Sequence, residues 1–230
     1  MSARSARRVG VVIPAGGSGT RFGGVVPKQF LRLGRKPILQ HAIEAFESSP
    51  RIDEIVVVVP AEYMRKAEML VRRLRATKVS HVVIGGRERQ HSVRNGLLSF
   101  DVEPEIVLVH DAVRPLVTPS LIAEVVRATE RFGAAVVGVR VKDTIKIESG
   151  GFFTTTLDRA KLWAVQTPQG FRFDILKRAH VAAQRSALLA TDDAALVERL
   201  KVPVRVVEGD YRNIKITTED DIKLAKMLLK

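Results

Sequence analysis

The residues best suited to chemistry in this chain are Val11-Val12-Ile13-Pro14-Ala15-Gly16-Gly17-Ser18-Gly19-Thr20-Arg21-Phe22, followed shortly by Pro27-Lys28-Gln29-Phe30. A short apolar run stops at a loop of small residues that carries Arg21, and Lys28 comes soon after. Small residues let backbone N–H groups approach a ligand closely, and successive N–H groups in a tight turn form an anion-binding concavity. Arg21 and Lys28 add full positive charge. The stretch reads as a triphosphate cradle at the end of a first β-strand; the plainer alternative is a glycine turn beside two solvated cations. It lacks the G-x-x-x-x-G-K-[ST] spacing of a P-loop. It also lacks a clean G-x-G-x-x-G, so a dinucleotide fold is not favoured.

A second candidate is His110-Asp111-Ala112-Val113-Arg114-Pro115, directly after a four-residue apolar run. A carboxylate at the carboxyl end of a strand, beside a phosphate loop, suits Mg²⁺, which takes one or two protein carboxylates plus substrate phosphate oxygens. The competing reading of Asp111 is a turn or helix-capping carboxylate. His110 has no partner at metal-ligand spacing and reads as structural. Near the end, Asn213-Ile214-Lys215-Ile216-Thr217 places one lysine between two apolar residues on a short strand. An inward-facing lysine is costly unless it meets an anion, and alternation alone points Lys215 to solvent.

The elements that must hold these residues follow from periodicity. Val9 to Ile13, Ile55 to Val59, Val79 to Ile84, Ile106 to Val109 and Ala134 to Val139 read as strands buried on both faces. Between them lie amphipathic helical segments at Ile38 to Phe46, Ala61 to Leu74, Ser92 to Leu98 and Pro119 to Phe132. In the last, Leu121, Ile122, Val125, Val126 and Phe132 are read on one face. Such alternation implies βαβ units and a largely parallel sheet covered on both sides. Ligands of such sheets bind beyond the carboxyl ends of the strands, where the loops at Ala15, Gly85, Asp111 and Arg140 begin. After Val139 the pattern changes: Val141 to Ile147 alternates with period two, Glu148-Ser-Gly-Gly151 is a turn, and Phe152 to Leu157 is again strand-like. This predicts a β-hairpin leaving the sheet, with Asp143-Thr144 and Asp158-Arg159 on its two arms. An isolated hairpin is marginal in water, so a second copy of the chain is a candidate for covering it. A helix from Phe173 to about Gln184, one starting near Thr191 with its hydroxyl as cap, a strand Val204 to Val207 and a closing helix Glu219 to Leu229 complete the pattern.

Composition narrows the class. The chain has 230 residues, 38 Lys plus Arg against 25 Asp plus Glu, a formal net charge of +13 and no cysteine. Disulfides, thiolate nucleophiles and cysteine-bound metals are therefore excluded, and a cytoplasmic location is expected. No apolar run approaches the roughly 18 residues that span a bilayer, and the basic first eight residues lack the apolar core of a secretory signal. The charge suits an enzyme with phosphorylated ligands or a nucleic-acid binder. The cations are spread along the chain and aromatics make up only 5% of it, so an acidic small-molecule ligand is the better fit.

Taken in order, the Pro-Ala-Gly-Gly-x-Gly-x-Arg loop, Pro27-Lys28-Gln29, Val109 to Pro115, Asp143-Thr144, Leu157-Asp-Arg159, Gln166-Thr-Pro-Gln169, Thr191-Asp-Asp193, Val207-Glu-Gly209 and Asn213 to Thr217 resemble the 2-C-methyl-D-erythritol 4-phosphate cytidylyltransferase family of the non-mevalonate isoprenoid pathway. The resemblance runs from about residue 9 to the C-terminus. It implies a single α/β domain over 1–230, a three-layer α/β/α, Rossmann-like nucleotidyltransferase fold with a mixed, mostly parallel sheet. It implies a homodimer formed through a β-hairpin arm at about 140–160, and transfer of a cytidylyl group from CTP with Mg²⁺. By motif position, Ala15, Gly16, Gly17, Gly19, Gly86, Ser92 and Ala112 would bind CTP. Arg21 and Lys28 would hold its phosphates and Asp111 the metal. Arg114, Thr144, Arg159, Thr167 and Lys215 would meet the sugar phosphate, some of them across the dimer, with Arg21, Lys28, Arg159 and Lys215 as the catalytic cations. The family often carries an Asp after its Gly-Gly pair where this chain has Arg87, which moves base recognition in that loop to backbone groups or another residue.

The chemistry implied is direct displacement. An acceptor phosphate oxygen attacks the α-phosphorus of CTP and pyrophosphate leaves. The nucleophile is already anionic, so no general base is needed, and catalysis rests on positioning and charge stabilisation. Two other readings remain at this point: a cytidylyltransferase for another polyol phosphate such as ribitol 5-phosphate, and a basic nucleic-acid-binding protein.

Overall fold

A computed structural model describes residues 8–16 and 27–229. Its centre is a seven-stranded sheet built from β1 (Val9–Pro14), β4 (Glu54–Val59), β5 (Val79–Ile84), β6 (Ile106–Val109), β7 (Ala134–Arg140), β10 (Trp163–Arg172) and β11 (Arg205–Glu208), in the order β11-β7-β10-β6-β1-β4-β5. β1 runs parallel to β4 and β6, β4 to β5, and β11 to β7, while β10 is antiparallel to both β6 and β7. The sheet is therefore mixed and mostly parallel, as expected. Two small ribbons lie outside it: β2 (Arg32–Leu33) with β3 (Lys36–Pro37), and β8 (Lys146–Ser149) with β9 (Phe152–Thr156).

The alternation of side chains along the strands divides the core in two. Val9, Val11, Ile13, Ile55, Val57 and Leu108 face α1 (Ile38–Glu47), α2 (Met64–Leu74) and α4 (Pro119–Phe132). Val12, Val56, Val58, Val107 and Val109 face α3 (Arg89–Leu97), α5 (Phe173–Arg185) and α6 (Asp193–Arg199). Each such fully buried aliphatic side chain contributes about 1.5–3 kcal/mol relative to exposure. α7 (Glu219–Leu228) closes a third, smaller cluster of Leu33, Ile38, Val113, Ile216 and Ala225.

Several expectations need correction. β5 is an edge strand with no fully buried residue, so it is not covered on both faces. Phe132 does not join the buried residues of α4; it is the last residue of the helix and is exposed, with Arg131 and Arg205 over its ring. α3 begins at Arg89, three residues before the expected start, because Glu88 and His91 form a capping box there. α6 is capped by Asp192, whose side chain accepts from the Ala195 N–H, and not by Thr191. The segment 214–217 is not a strand; one backbone bond, Ile216 N–H to the Val113 carbonyl at 2.9 Å, ties it to the core. β10 was not foreseen. Pro168 and Gly170 argue against a strand by propensity, yet the ladder to β7 tolerates them through a register shift between Val165 and Gln169.

The hairpin is present but shorter than predicted. Gly150 and Gly151 take positive φ of 61° and 86°, as its turn demands. Every residue of β8 and β9 is exposed. Asp143-Thr144 and Asp158-Arg159 therefore lie at the base of the arm, outside its paired strands.

Candidate functional site

The carboxyl ends of β1, β4, β5 and β6 meet at one rim of the sheet. Ala15 and Gly16 leave β1 there; Gly17, Gly19 and Arg21 lie outside the described residues. The Ala15 N–H donates to the Val58 carbonyl at 2.7 Å, and Gln29 Nε2 donates to the Ala15 carbonyl at 2.5 Å. Gln29 is buried in a single 3-10 turn, Lys28–Phe30, so this turn anchors the first residue of the small-residue loop and sets Lys28 next to the anchor. Across the rim, Ser92 Oγ accepts from the Gly86 N–H at 3.1 Å and lies 3.2 Å from the Glu88 carbonyl, to which it donates. A Cβ added to Gly16 would sit 3.4 Å from the same Ser92 Oγ, and one on Gly86 would collide with His91. Gly16, Gly86 and Ser92 thus share one small space with backbone exposed to it. The Ala112 N–H reaches the Pro14 carbonyl at 3.3 Å, which brings the Asp111 loop against the same rim.

Asp111 is the electrostatic centre. Its Oδ1 accepts from Arg89 Nε at 2.9 Å and its Oδ2 lies 2.7 Å from Lys215 Nζ. Lys215 is 41% exposed at its side chain, so it neither enters the core nor points idly to solvent; it bends to the carboxylate. Burial raises the Asp111 pKa, but Arg89 and Lys215, with Arg114 behind them, outweigh it and hold the group well below the usual carboxylate range. Arg89 also reaches Asp193 Oδ2 with Nη1 at 2.6 Å, and Asp193 Oδ1 accepts from His180 Nε2 at 3.0 Å. Burial alone would lower the Arg89 pKa; Asp193 and Asp111 more than reverse it. One guanidinium therefore bridges two buried carboxylates through charge-assisted hydrogen bonds.

Behind Asp111 runs a chain of buried hydrogen bonds. The Asp111 N–H donates to Thr167 Oγ1 at 3.1 Å, and Thr167 Oγ1 lies 3.0 Å from His110 Nδ1. His110 Nε2 lies 3.0 Å from the Arg114 carbonyl, which can only accept. Nε2 must carry the proton, so Nδ1 accepts from the threonine hydroxyl. Burial pulls the His110 pKa down to about 4 and keeps this tautomer neutral. His110 is structural, as read from the sequence. The register shift in β10 turns Thr167 toward this chain. Arg114 donates Nη1 to the Asn213 carbonyl at 2.8 Å, while its buried Nε has no partner among the described residues.

Asp111, Arg114, Thr167 and Lys215 line one cavity of about 500 Å³, together with Arg89 and Asp192. Thr144 and Arg159 do not line it; both are exposed, and Arg159 donates to the Lys142 carbonyl at 2.9 Å. Among the described residues no cluster of three His, Asp or Glu side chains is placed to hold a metal. A lone Asp111 suits only an ion that takes most of its ligands elsewhere, which is how Mg²⁺ binds beside substrate phosphates. Sequence reading missed Arg89, Asp193 and His180 as site residues. No local signal marks them, since an acid in the first turn of a helix is equally at home facing solvent.

The sequence pattern of the 2-C-methyl-D-erythritol 4-phosphate cytidylyltransferase family (IspD) matches residues 9–230. This chain belongs to that family. It is 48% identical over 219 residues, 95% of both chains, to the cytidylyltransferase of Geobacillus kaustophilus. Similar solved structures include a 4-diphosphocytidyl-2C-methyl-D-erythritol synthase from Anaerococcus prevotii, with TM-score 0.86, 28% identity and coverage of 98% of this chain and 99% of that one. The Thermus thermophilus cytidylyltransferase superposes with TM-score 0.79 at 34% identity, covering 95% and 97%. As a member of the cytidylyltransferase family the chain is a nucleotidyltransferase of the isoprenoid pathway, and cytidylyl transfer from CTP is its activity.

Proposed function

We propose that the transfer to 2-C-methyl-D-erythritol 4-phosphate takes place at the rim around Asp111 by direct in-line displacement. An acceptor phosphate oxygen forms a bond to the α-phosphorus of CTP, the bond from that phosphorus to the bridging oxygen of the β-phosphate breaks, and pyrophosphate leaves. The observation that carries this reading is the Asp111 carboxylate with Lys215 and Arg89 on its two oxygens and Arg114 in the same cavity. Asp111, with the phosphate oxygens of CTP, would hold Mg²⁺, which when bound supplies positive charge to the phosphates. Lys215 and Lys28, with Arg21 of the small-residue loop, offset the charge of two anions brought together, and the closely packed backbone at Ala15, Gly16 and Gly86 shapes the space for the nucleotide.

We further propose a homodimer formed through the β8–β9 arm, in the cytoplasm, whose reducing conditions fit a chain that forms no disulfides. Phe152 and Phe153 are 77% and 75% exposed on the arm, an apolar surface a monomer does not keep bare. Thr144 and Arg159 at its base then serve the partner's site, consistent with their standing outside the cavity of their own chain. Among the described residues no helix is long and apolar enough to cross a membrane.

Pyrophosphate release is the test. CTP with methylerythritol phosphate and Mg²⁺ should support it, whereas ATP, GTP or UTP, or ribitol 5-phosphate as acceptor, should not. Equal turnover with ribitol 5-phosphate would change the acceptor. For the shared site, Arg159→Ala and Lys28→Ala proteins are each expected to be nearly inactive, and mixing them under subunit exchange should restore part of the activity. No recovery despite demonstrated exchange would confine the site to one chain.

A further inference from the structure

We propose that His180 is a positioning residue for cytidylyl transfer, acting through Asp193 and Arg89 on the carboxylate of Asp111. His180 lies on α5, 3% exposed; among the described residues its only polar contact is Nε2 to Asp193 Oδ1 at 3.0 Å, and its Nδ1 has no partner. Asp193, 1% exposed at the start of α6, receives His180 on one oxygen and Arg89 on the other. Arg89, at the start of α3, sends its Nε to Asp111. Three helices are thus joined by one run of side chains that ends on the carboxylate at the tip of β6. The run is a competition for one guanidinium. A buried carboxylate needs a donor on each oxygen. While His180 supplies one, Asp193 takes a single N–H from Arg89, and the Nε remains on Asp111. Without His180, Asp193 satisfies both oxygens by closing bidentately on Arg89, the favoured geometry of that pair. Arg89 is then drawn off Asp111, and Asp111 swings toward Lys215. His180 therefore sets where the reacting-site carboxylate points, although it touches no substrate.

The test uses the full chain, with pyrophosphate release from CTP and methylerythritol phosphate as readout. His180→Phe keeps the ring volume and removes the donor; its kcat should fall about tenfold, the lower end of the range for partners that orient a functional ligand. His180→Gln, whose Nε2 reaches the place of the imidazole Nε2, should recover most of it, and His180→Asn, one methylene shorter, should not. In an Arg89→Lys background, where one ammonium cannot hold both carboxylates in the same fork, His180→Phe should cost less than about twofold more. Full turnover by His180→Phe, equal losses for the Phe and Gln variants, or a second independent tenfold loss beside Arg89→Lys would overturn the proposal. If His180→Phe fails to fold, the Gln and Asn pair decides. The inference rests on Asp111 acting in the reaction, and Asp111→Asn separates the two claims. An inactive Asp111→Asn with a fully active His180→Phe removes His180 alone, whereas an active Asp111→Asn removes both.

Discussion

Replacing Arg89 by alanine should cost this protein about 3 kcal/mol of stability at pH 7. Arg89 supplies one of the two donors to Asp193, whose side chain is 1% exposed, and one of two to Asp111, whose side chain is 10% exposed. Breaking a buried pair by removing one partner typically costs about 3–5 kcal/mol, because the remaining charge stays buried without compensation. Asp111 keeps Lys215, so most of the loss falls on Asp193, which retains only His180; this sets the estimate at the low end. For a chain of this size about 3 kcal/mol lowers Tm by roughly 6–12 °C. The pH dependence has a definite sign. In the native protein burial alone would raise the pKa of Asp193, but Arg89 and His180 outweigh it, so its folded pKa is depressed. A depressed carboxylate contributes stability that is fully present above its unfolded pKa near 3.9, and this contribution is flat between pH 5 and 8. In Arg89→Ala the Arg89 charge and hydrogen bond that hold Asp193 down are gone, burial is opposed by His180, and the folded pKa of Asp193 is expected to rise. Protonation then relieves the strain, and the deficit against the parent shrinks as pH falls from 8 to 5. Denaturant unfolding at four pH values and fixed salt measures this, and Asp193→Asn in the same background should return part of the loss. A deficit under about 1 kcal/mol at pH 7, or one that grows toward acid, would refute the shared-guanidinium account.

Three further outcomes follow from the same geometry. His110 has a folded pKa of about 4 against roughly 6.5 unfolded, so its contribution is fully present above pH 6.5 and is lost as pH falls toward 4. Between pH 7 and 5 this amounts to roughly 2 kcal/mol, and His110→Gln, though less stable at pH 7, should show a correspondingly shallower slope in denaturant titrations. Lys28→Ala should keep the melting temperature and lose about 3 kcal/mol of transition-state stabilisation, roughly 100-fold in rate; near-normal turnover in steady-state kinetics would remove Lys28 from the mechanism. Gly170→Ala, in the middle of β10, would press its methyl into Thr129 Oγ1 and bring it within 2.8 Å of Leu108 and 2.9 Å of Val125. Overpacking of this kind costs about 1–3 kcal/mol, and an unchanged unfolding midpoint would show that β10 and α4 separate more easily than their packing indicates.

The sequence alone determined the parallel core of the sheet and the ends from which the site is built. Val9 to Ile13, Ile55 to Val59 and Ile106 to Val109 are β-branched runs too short for helices, and each ends in small or polar residues; local chemistry leaves them little else to be. The same local signals placed Gly16, Gly86 and Asp111 on loops at strand ends. What the sequence could not decide was pairing. β10 contains a proline and a glycine and has no clean alternation, so only the ladders offered by β6 and β7 make it a strand, and only the register shift in that ladder turns Thr167 toward His110. The partner of Lys215 was equally hidden: alternation sends it to solvent, and it bends to Asp111 because a carboxylate 104 residues away in the chain sits there. Arg89 and Asp193 lie about a hundred residues apart in the chain, and become one buried bridge because α3 and α6 pack on the same face of the sheet. Periodicity is a property of neighbours along the chain, whereas a charge pair between distant segments exists only once the sheet has fixed their distance.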